Sequence, residues 1–418
     1  MTPIVHCTST IEELEALEER AIRPAPPWVG AGVRLRNWLS NALFGGVCKV
    51  WFREAGPLDE LGRVVVYIPD HLGDRLMTVP ALASLRKACP RAVITLLTAT
   101  APGAVQELFG DHTLVDQIVC VDAPLVTRGR MGLRYHPDLD CLKGCDLFVN
   151  LHPSWENGLP RGVLKKLLIA GHIRARSAVG FKVEGGAGPK RRLRVRGLFV
   201  SNDPRRPAGV LAELGLRPVE PEDAFPRWPA ARARVEAKLK DIAGTGPLVV
   251  LNPGAWLPAN RWPSERFGEM GRKLQKSHAA RIVCVGTEGE APICSQALQG
   301  IQGLNLAGRT DVVELLELLR MANLCITNDT GTMHCASMVG CPTLALFATS
   351  KTPHMCFPLG KNVKVLLAYL KDYYDGRWQG PPHESLLAIQ VEDVVRAAEA
   401  MLGQTQAAGF QKAERAHA

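Results

Sequence analysis

The segment NDTGTMH, residues 328–334, sets Asp329, Thr330, Gly331, Thr332 and His334 directly after an apolar run, where a strand hands over to a helix. The first turn of a helix exposes backbone N–H groups at the positive end of its dipole, and small polar residues there leave room for a phosphate. Two plainer roles fit the same residues: Asp329 or Thr330 as a helix cap, and His334 as a packed core histidine. NPGAWLPANRWP, residues 252–263, is a second junction of this kind. Gly254 permits a tight turn, Asn260 and Arg261 offer donors to an anion, and Trp262 with Pro263 fixes the helix start by packing. Gly286, Thr287 and Glu288 end the following strand, where a carboxylate can accept hydrogen bonds from ribose hydroxyls. Sequence does not distinguish Glu288 from Glu290 in this role.

Nearer the N-terminus, DHLGDRLMTVPAL places Asp74 beside Gly73 at the first strand-to-helix turn. A carboxylate at such a turn can act as general base toward a hydroxyl nucleophile, and an ordinary N-cap aspartate is the other reading. GxGxxG, Walker A, GxSxG and HExxH patterns are absent, which disfavours dehydrogenase, P-loop kinase, serine hydrolase and zincin chemistry. No DxD-like pair stands beside NDTGTMH. The one close cysteine pair, Cys141 and Cys145, has no second pair to complete a zinc site. The twelve cysteines are expected to be free, mostly buried thiols, and no metal or other cofactor is expected.

The elements that position these residues alternate. Strands are predicted at 63–69, 93–98, 117–122, 146–152 and around 176–181, with a helix ending before Pro90. Residues 202–230 hold six prolines and read as a linker or long loop. The alternation restarts at PLVVLNPG, with strands near 247–254, 280–287, 323–329 and 342–349 and a closing helix over 391–403. Strands separated by helical patterns imply βαβ units and parallel sheets. Two doubly wound α/β units in series are predicted, facing a cleft: residues 61–225 and 226–403. A frayed tail is expected over 404–418.

Residues 1–60 read as an N-terminal extension. Within it, VRLRNWLSNALFGGVCKVWF sets Trp38, Leu39, Leu43 and Phe44 against Arg34, Arg36 and Lys49. This fits a helix lying on an anionic membrane and equally a helix packed on the domain. The formal net charge is +9, yet residues 161–206 hold thirteen Lys or Arg against Glu184 and Asp203. Such a patch attracts anions; without aromatic interleaving or a nucleic-acid motif, nucleic acid is not the expected partner. No run approaches the roughly 20 apolar residues of a spanning helix, and the start lacks a signal-peptide pattern, so cytoplasmic residence with peripheral attachment to the inner membrane is the expectation.

Three blocks together resemble a known family: LGDRLMTVPALASLRKACP, LNPGAWLPANRWPSERF and NLAGRTDVVELLELLRMANLCITNDTGTMHCASMVGCPTLALF. Over about residues 62–360 the chain is similar to the bacterial lipopolysaccharide heptosyltransferases of glycosyltransferase family 9. The resemblance implies a GT-B fold, an N-terminal domain for a glycan or glycolipid acceptor and a C-terminal domain for a nucleotide-sugar, typically ADP-heptose. It implies that Asp74 is the catalytic residue and that Asp329, Thr330, Gly331 and His334 hold the donor phosphates; Asn260, Arg261, Glu288 and Thr332 are expected to complete the donor site, and His71, Gly73 and Arg75 are expected against the acceptor. The chain departs from the family at Asn260, where a lysine is usual. Transfer of another sugar to a capsule, protein or small-molecule acceptor, and a non-catalytic nucleotide-sugar-binding relative, are the alternatives.

Overall fold

The computed structural model describes residues 5–21, 42–43, 46–69, 72–111, 113–129, 132–152, 161–181, 205–242, 244–348, 356–368 and 382–417. The chain divides into two compact units: Ile22–Phe225, and Pro226–Ala418 together with Met1–Ala21.

The first described elements are β1 (Val5–Thr8) and α1 (Ile11–Ala21). They are not a free extension, because they belong to the C-terminal unit. Of the segment expected to lie on a membrane or on the domain, residues 22–41, 44 and 45 fall outside the described residues. Residues 46–51 are helical. They lead into Phe52, which is buried in the core of the N-terminal unit, while Val50 and Trp51 remain largely exposed. The Arg53 N–H is donated to Arg176 O at 2.9 Å, which ties this stretch to the same unit.

The N-terminal unit runs β2 (Arg63–Tyr67), α2 (Leu72–Leu76), α3 (Val79–Ala88), β3 (Val93–Thr98), α4 (Gly103–Phe109) and β4 (Gln117–Cys120). A β5–β6 hairpin (Val126–Gly129, Gly132–Tyr135) follows, then β7 (Leu147–Asn150), α5 (Arg161–His172) and β8 (Ser177–Val179). The sheet is parallel in the order β4-β3-β2-β7-β8, so strand order reverses beside β2. β2, RVVVY, is β-branched and buried on both faces, as a parallel sheet covered by helices requires.

The linker expected over 202–230 is a correction. Its described part folds as α6 (Arg206–Ala212) and α7 (Pro221–Ala224), and α8 (Pro229–Leu239) then opens the second unit. Pro207, Pro221 and Pro229 all occupy first-turn positions. Proline lacks an N–H that the first turn does not use, and its fixed φ suits the helix, so these prolines start helices instead of breaking them. Ser84 on α3 pins the stretch by donating to Arg217 O at 2.9 Å and accepting from Val219 N at 2.9 Å.

The C-terminal unit continues with β9 (Leu248–Asn252), α9 (Ser264–His278), β10 (Arg281–Cys284), α10 (Ala291–Ala297), β11 (Gly303–Asn305), α11 (Val312–Met321) and β12 (Leu324–Asn328). It closes with α12 (Gly331–Met338), β13 (Thr343–Phe347), β14 (Val363–Ala368), α13 (Glu384–Ala388) and α14 (Val391–His417). The sheet order is β1-β14-β13-β12-β9-β10-β11, parallel except for β1, which pairs antiparallel with β14 from Val5↔Ala368 to Thr8↔Val365. β1 thereby covers an edge that would otherwise expose unpaired backbone groups. Ile11 and Leu14 of α1 pack with Met333, Phe347, Phe357, Val365 and Leu367 in one buried cluster. The closing helix does not stop at residue 403: residues 404–417, expected as a frayed tail, are helical. QTQAAGFQKAERAH contains no proline and is rich in Ala and Gln, which favour helix.

Candidate functional site

In an open α/β sheet, ligands bind outside the carboxyl ends of the strands where strand order reverses. In the C-terminal unit β9 lies between β10 and β12, and the loops that follow these three strands carry the donor residues expected from the sequence. Two asparagines hold those loops together. Asn328, the last residue of β12, donates to Pro253 O at 2.9 Å and Gly254 O at 3.2 Å and accepts from Trp262 N at 3.0 Å. Asn252, the last residue of β9, donates to Val285 O at 3.0 Å and Thr332 Oγ1 at 3.2 Å, while its Oδ1 accepts from Thr330 Oγ1 at 3.3 Å. Both are buried, so each lost bond would strand polar groups away from water. Sequence reasoning did not single them out, although an asparagine ending each of two apolar strand runs was the signal.

Thr330 takes the N-cap position of α12 with extended backbone (φ −148°, ψ 172°), but its side chain makes no capping bond. Its hydroxyl instead meets Asn252 and Thr327. The capping role therefore does not hold for Thr330, and the first turn of α12 keeps the anion-binding character of a helix start. Gly331 opens the helix and Thr332 is buried against Asn252. His334 is also buried; burial lowers its pKa to about 4, so it is neutral near pH 7, and its Nδ1 has no hydrogen-bond partner among the described residues. Asp329 is half-buried just before the helix.

Asn260 is buried at the end of a 3-10 turn, Pro258–Asn260. Arg261 is half-buried and donates Nε to Ala255 O at 2.8 Å; its terminal nitrogens make no hydrogen bond among the described residues. The structure separates Glu288 from Glu290. Glu290 accepts from Thr287 N at 2.8 Å and Thr287 Oγ1 at 2.9 Å and so closes the turn, whereas Glu288 is exposed on it. A side chain at Gly254 would run into the Glu290 carboxylate that closes the turn. Trp262 is wholly buried and its Nε1 donates to Ile389 O at 3.0 Å, the packing role expected of it.

In the N-terminal unit Asp74 is half-buried on α2, a five-residue helix in the connection from β2 to α3, with Gly73 beside it. Arg75, expected against the acceptor, is buried and donates Nε to Pro69 O at 3.3 Å. His71 lies outside the described residues. The sequence did not point to a polar group at the carboxyl ends of β2 and β7. Lys166 Nζ lies 2.7 Å from His152 Nδ1 and 5.5 Å from the centre of the Tyr67 ring, and the Tyr67 and His152 rings are 5.3 Å apart.

All twelve cysteines are free thiols, and burial pushes those of Cys145 and Cys335 up to about 12, which keeps them unreactive. Among the described residues no three His, Cys, Asp or Glu are grouped to hold a metal, and no helix is long and apolar enough to cross a membrane.

Two Rossmann-like units, each with its polar residues at the reversal of strand order, define a GT-B glycosyltransferase fold. Residues 218–376 match the family model described as glycosyltransferase family 9 (heptosyltransferase). Among solved structures it is similar to a glycosyltransferase family 9 protein of Veillonella parvula, with 22% identity and a TM-score of 0.59 over 84% of this chain and 100% of that one. It is also similar to the E. coli ADP-heptose lipopolysaccharide heptosyltransferase II, with 18% identity and a TM-score of 0.57 over 82% and 99%. The lipooligosaccharide heptosyltransferase 2 of Haemophilus influenzae is 27% identical over 177 residues, 39% of this chain and 51% of that protein. The chain thus spans about half the length of the curated relatives it matches.

Proposed function

We propose that this chain is an inverting glycosyltransferase that moves a heptose from ADP-heptose to a hydroxyl of a lipopolysaccharide-core or related glycan. The observation that carries the reading is the start of α12, which no Thr330 side-chain bond caps, set where strand order reverses inside the region that matches the family. The names of the relatives support the donor and the acceptor class.

In the proposed reaction Asp74 takes the proton of the acceptor hydroxyl while that oxygen attacks the anomeric carbon from the face opposite the diphosphate. The carbon–oxygen bond to phosphate breaks, and the nucleoside diphosphate leaves with the electron pair. The N–H groups opening α12 and the Arg261 guanidinium meet the developing charge, since fixed donors need no reorganisation as it appears. Charge met in this way needs no divalent ion. Glu288 accepts from the ribose hydroxyls.

One observation favours a different sugar. Asn260 puts a buried neutral amide where the family usually has lysine. A panel of nucleotide-sugars, assayed for acceptor-dependent release of nucleoside diphosphate with and without chelator, decides between ADP-heptose and another donor; a strict need for added divalent ion would overturn the metal-free mechanism. Asp74→Asn should lower turnover by about a hundredfold or more, the scale of a lost general base, with donor affinity unchanged. Near-normal turnover in that variant would remove Asp74 from the reaction. Peripheral attachment to an anionic membrane is part of the same proposal, supported by Lys49, Val50 and Trp51, which stand exposed together; absence of flotation with anionic liposomes at low salt would count against it.

A further inference from the structure

Trp256, on the loop after β9, has no part in the scheme above. It is 93% exposed, more than any other large apolar side chain among the described residues. An indole left in water forgoes a large apolar burial, and a single flexible tip would explain little. This loop, however, is fixed on both sides of the tryptophan. Ala255 is buried and its carbonyl accepts from Arg261, the carbonyls of Pro253 and Gly254 accept from Asn328, and Leu257 O accepts from Asn260 N at 2.9 Å. The ring stands in solvent on a tied loop, and that loop lies between those that follow β12 and β10.

We propose that Trp256 is the stacking surface for the sugar ring of the donor and helps to set which sugar is accepted. This deepens the transfer reading and rests on it. A nucleotide-sugar has four parts to place. The diphosphate belongs to the α12 start and the ribose to Glu288, and the base continues from the ribose away from the diphosphate. The sugar is the part that must stand clear of the donor unit, because an acceptor has to reach its anomeric carbon. On the loop between the phosphate and ribose positions, Trp256 is the large apolar side chain left most open to such a group. A pyranose ring offers a face of C–H groups with hydroxyls at its rim, and an indole covers such a face while leaving the rim to polar contacts. A flat ring accepts sugars whose face is free of axial hydroxyls and rejects those whose face is not.

The test is equilibrium binding of ADP and of ADP-heptose, without acceptor, to the full chain and to Trp256→Ala and Trp256→Phe. Because the side chain is exposed, neither substitution removes packing. The expected result is a three- to tenfold loss of ADP-heptose affinity in Trp256→Ala, ADP affinity unchanged within twofold, and most of the loss restored in Trp256→Phe. Equal losses for ADP and ADP-heptose would assign the ring to the base or to loop structure and overturn the proposal. So would no loss for either. If the unsubstituted chain binds neither ligand, the transfer reading fails and this inference falls with it, an outcome visible before any variant is measured.

Discussion

The two units put their polar residues at the same topological place and build that place differently. Where β9 meets β12, buried Asn252 and Asn328 tie three loops to one another, and Thr332 and His334 of α12 are themselves buried. Where β2 meets β7, the connection carries a five-residue helix with Asp74 half-exposed, and the neighbouring group is a lysine, a histidine and a tyrosine instead of an amide network. A diphosphate has one shape and is well served by fixed backbone donors. A glycan acceptor varies, and a half-exposed carboxylate on a short helix suits a hydroxyl that arrives from solvent.

The comparison depends on which unit owns the N-terminal strand and helix, and that ownership can be broken. Leu14 is wholly buried among α12, β13 and β14 residues of the C-terminal unit. Leu14→Ala should cost about 3 to 4 kcal/mol, transfer and cavity terms together. The loss should fall on the thermal transition that ADP raises, because a ligand stabilises the unit that binds it. A shift confined to the transition that ADP leaves alone would return β1 and α1 to the N-terminal unit.

His334 sharpens the same contrast through pH. Its pKa is lowered from 6.5 to about 4 by burial, so between those values the unfolded chain takes up a proton that the folded unit refuses. Stability from this group is therefore full above about pH 6.5 and falls as pH drops toward 4, by about 3 kcal/mol across the window, with no further change below. His334→Gln should flatten the stability–pH curve of the ADP-responsive transition there, relative to the unsubstituted chain. An unchanged slope would mean the imidazole is protonated in the folded protein, and the proposed phosphate site would then carry a cation.

Much of this architecture was legible because parallel strands buried on both faces write themselves as β-branched runs: RVVVY, LVVLN and TLALF all became strands within a residue or two of expectation. The turn into α12, the proposed phosphate site, was legible for a local reason, small polar residues directly after such a run. What escaped depended on long-range pairing. VHCT is too short to announce a strand, and only an open edge on β14, some 360 residues away in sequence, makes it one. VKVLLA, which supplies that edge, went unread as well. The prolines of 202–230 misled because the same residue ends one helix and begins another. Glu288 and Glu290 were inseparable until Glu290 was seen to bond Thr287.

The smallest expected effect concerns the cation of the donor side. On the proposed reading a cation for the diphosphate must come from elsewhere, because a buried asparagine stands at position 260, where family 9 usually has a lysine. Arg261 is the adjacent candidate. Its Nε is fixed on Ala255 O, which orients the guanidinium plane, and its two terminal nitrogens remain to grip phosphate oxygens in a bidentate fashion. Arg261→Ala should therefore weaken ADP binding by about 2 kcal/mol, roughly thirtyfold, the range of a hydrogen bond to a charged group. Arg261→Lys should recover only part of this, because an ammonium is a point charge that reproduces neither the fork nor the anchor on Ala255. Asn260→Lys alone should not improve binding, since the site is closed from water and a lysine there must first be buried. If Arg261→Ala leaves ADP binding intact while Asn260→Lys strengthens it, the compensation is absent. The donor site would then be of the ordinary family kind with its lysine missing, and its fixed shape, the basis of the contrast with the acceptor side, would have lost its charge partner.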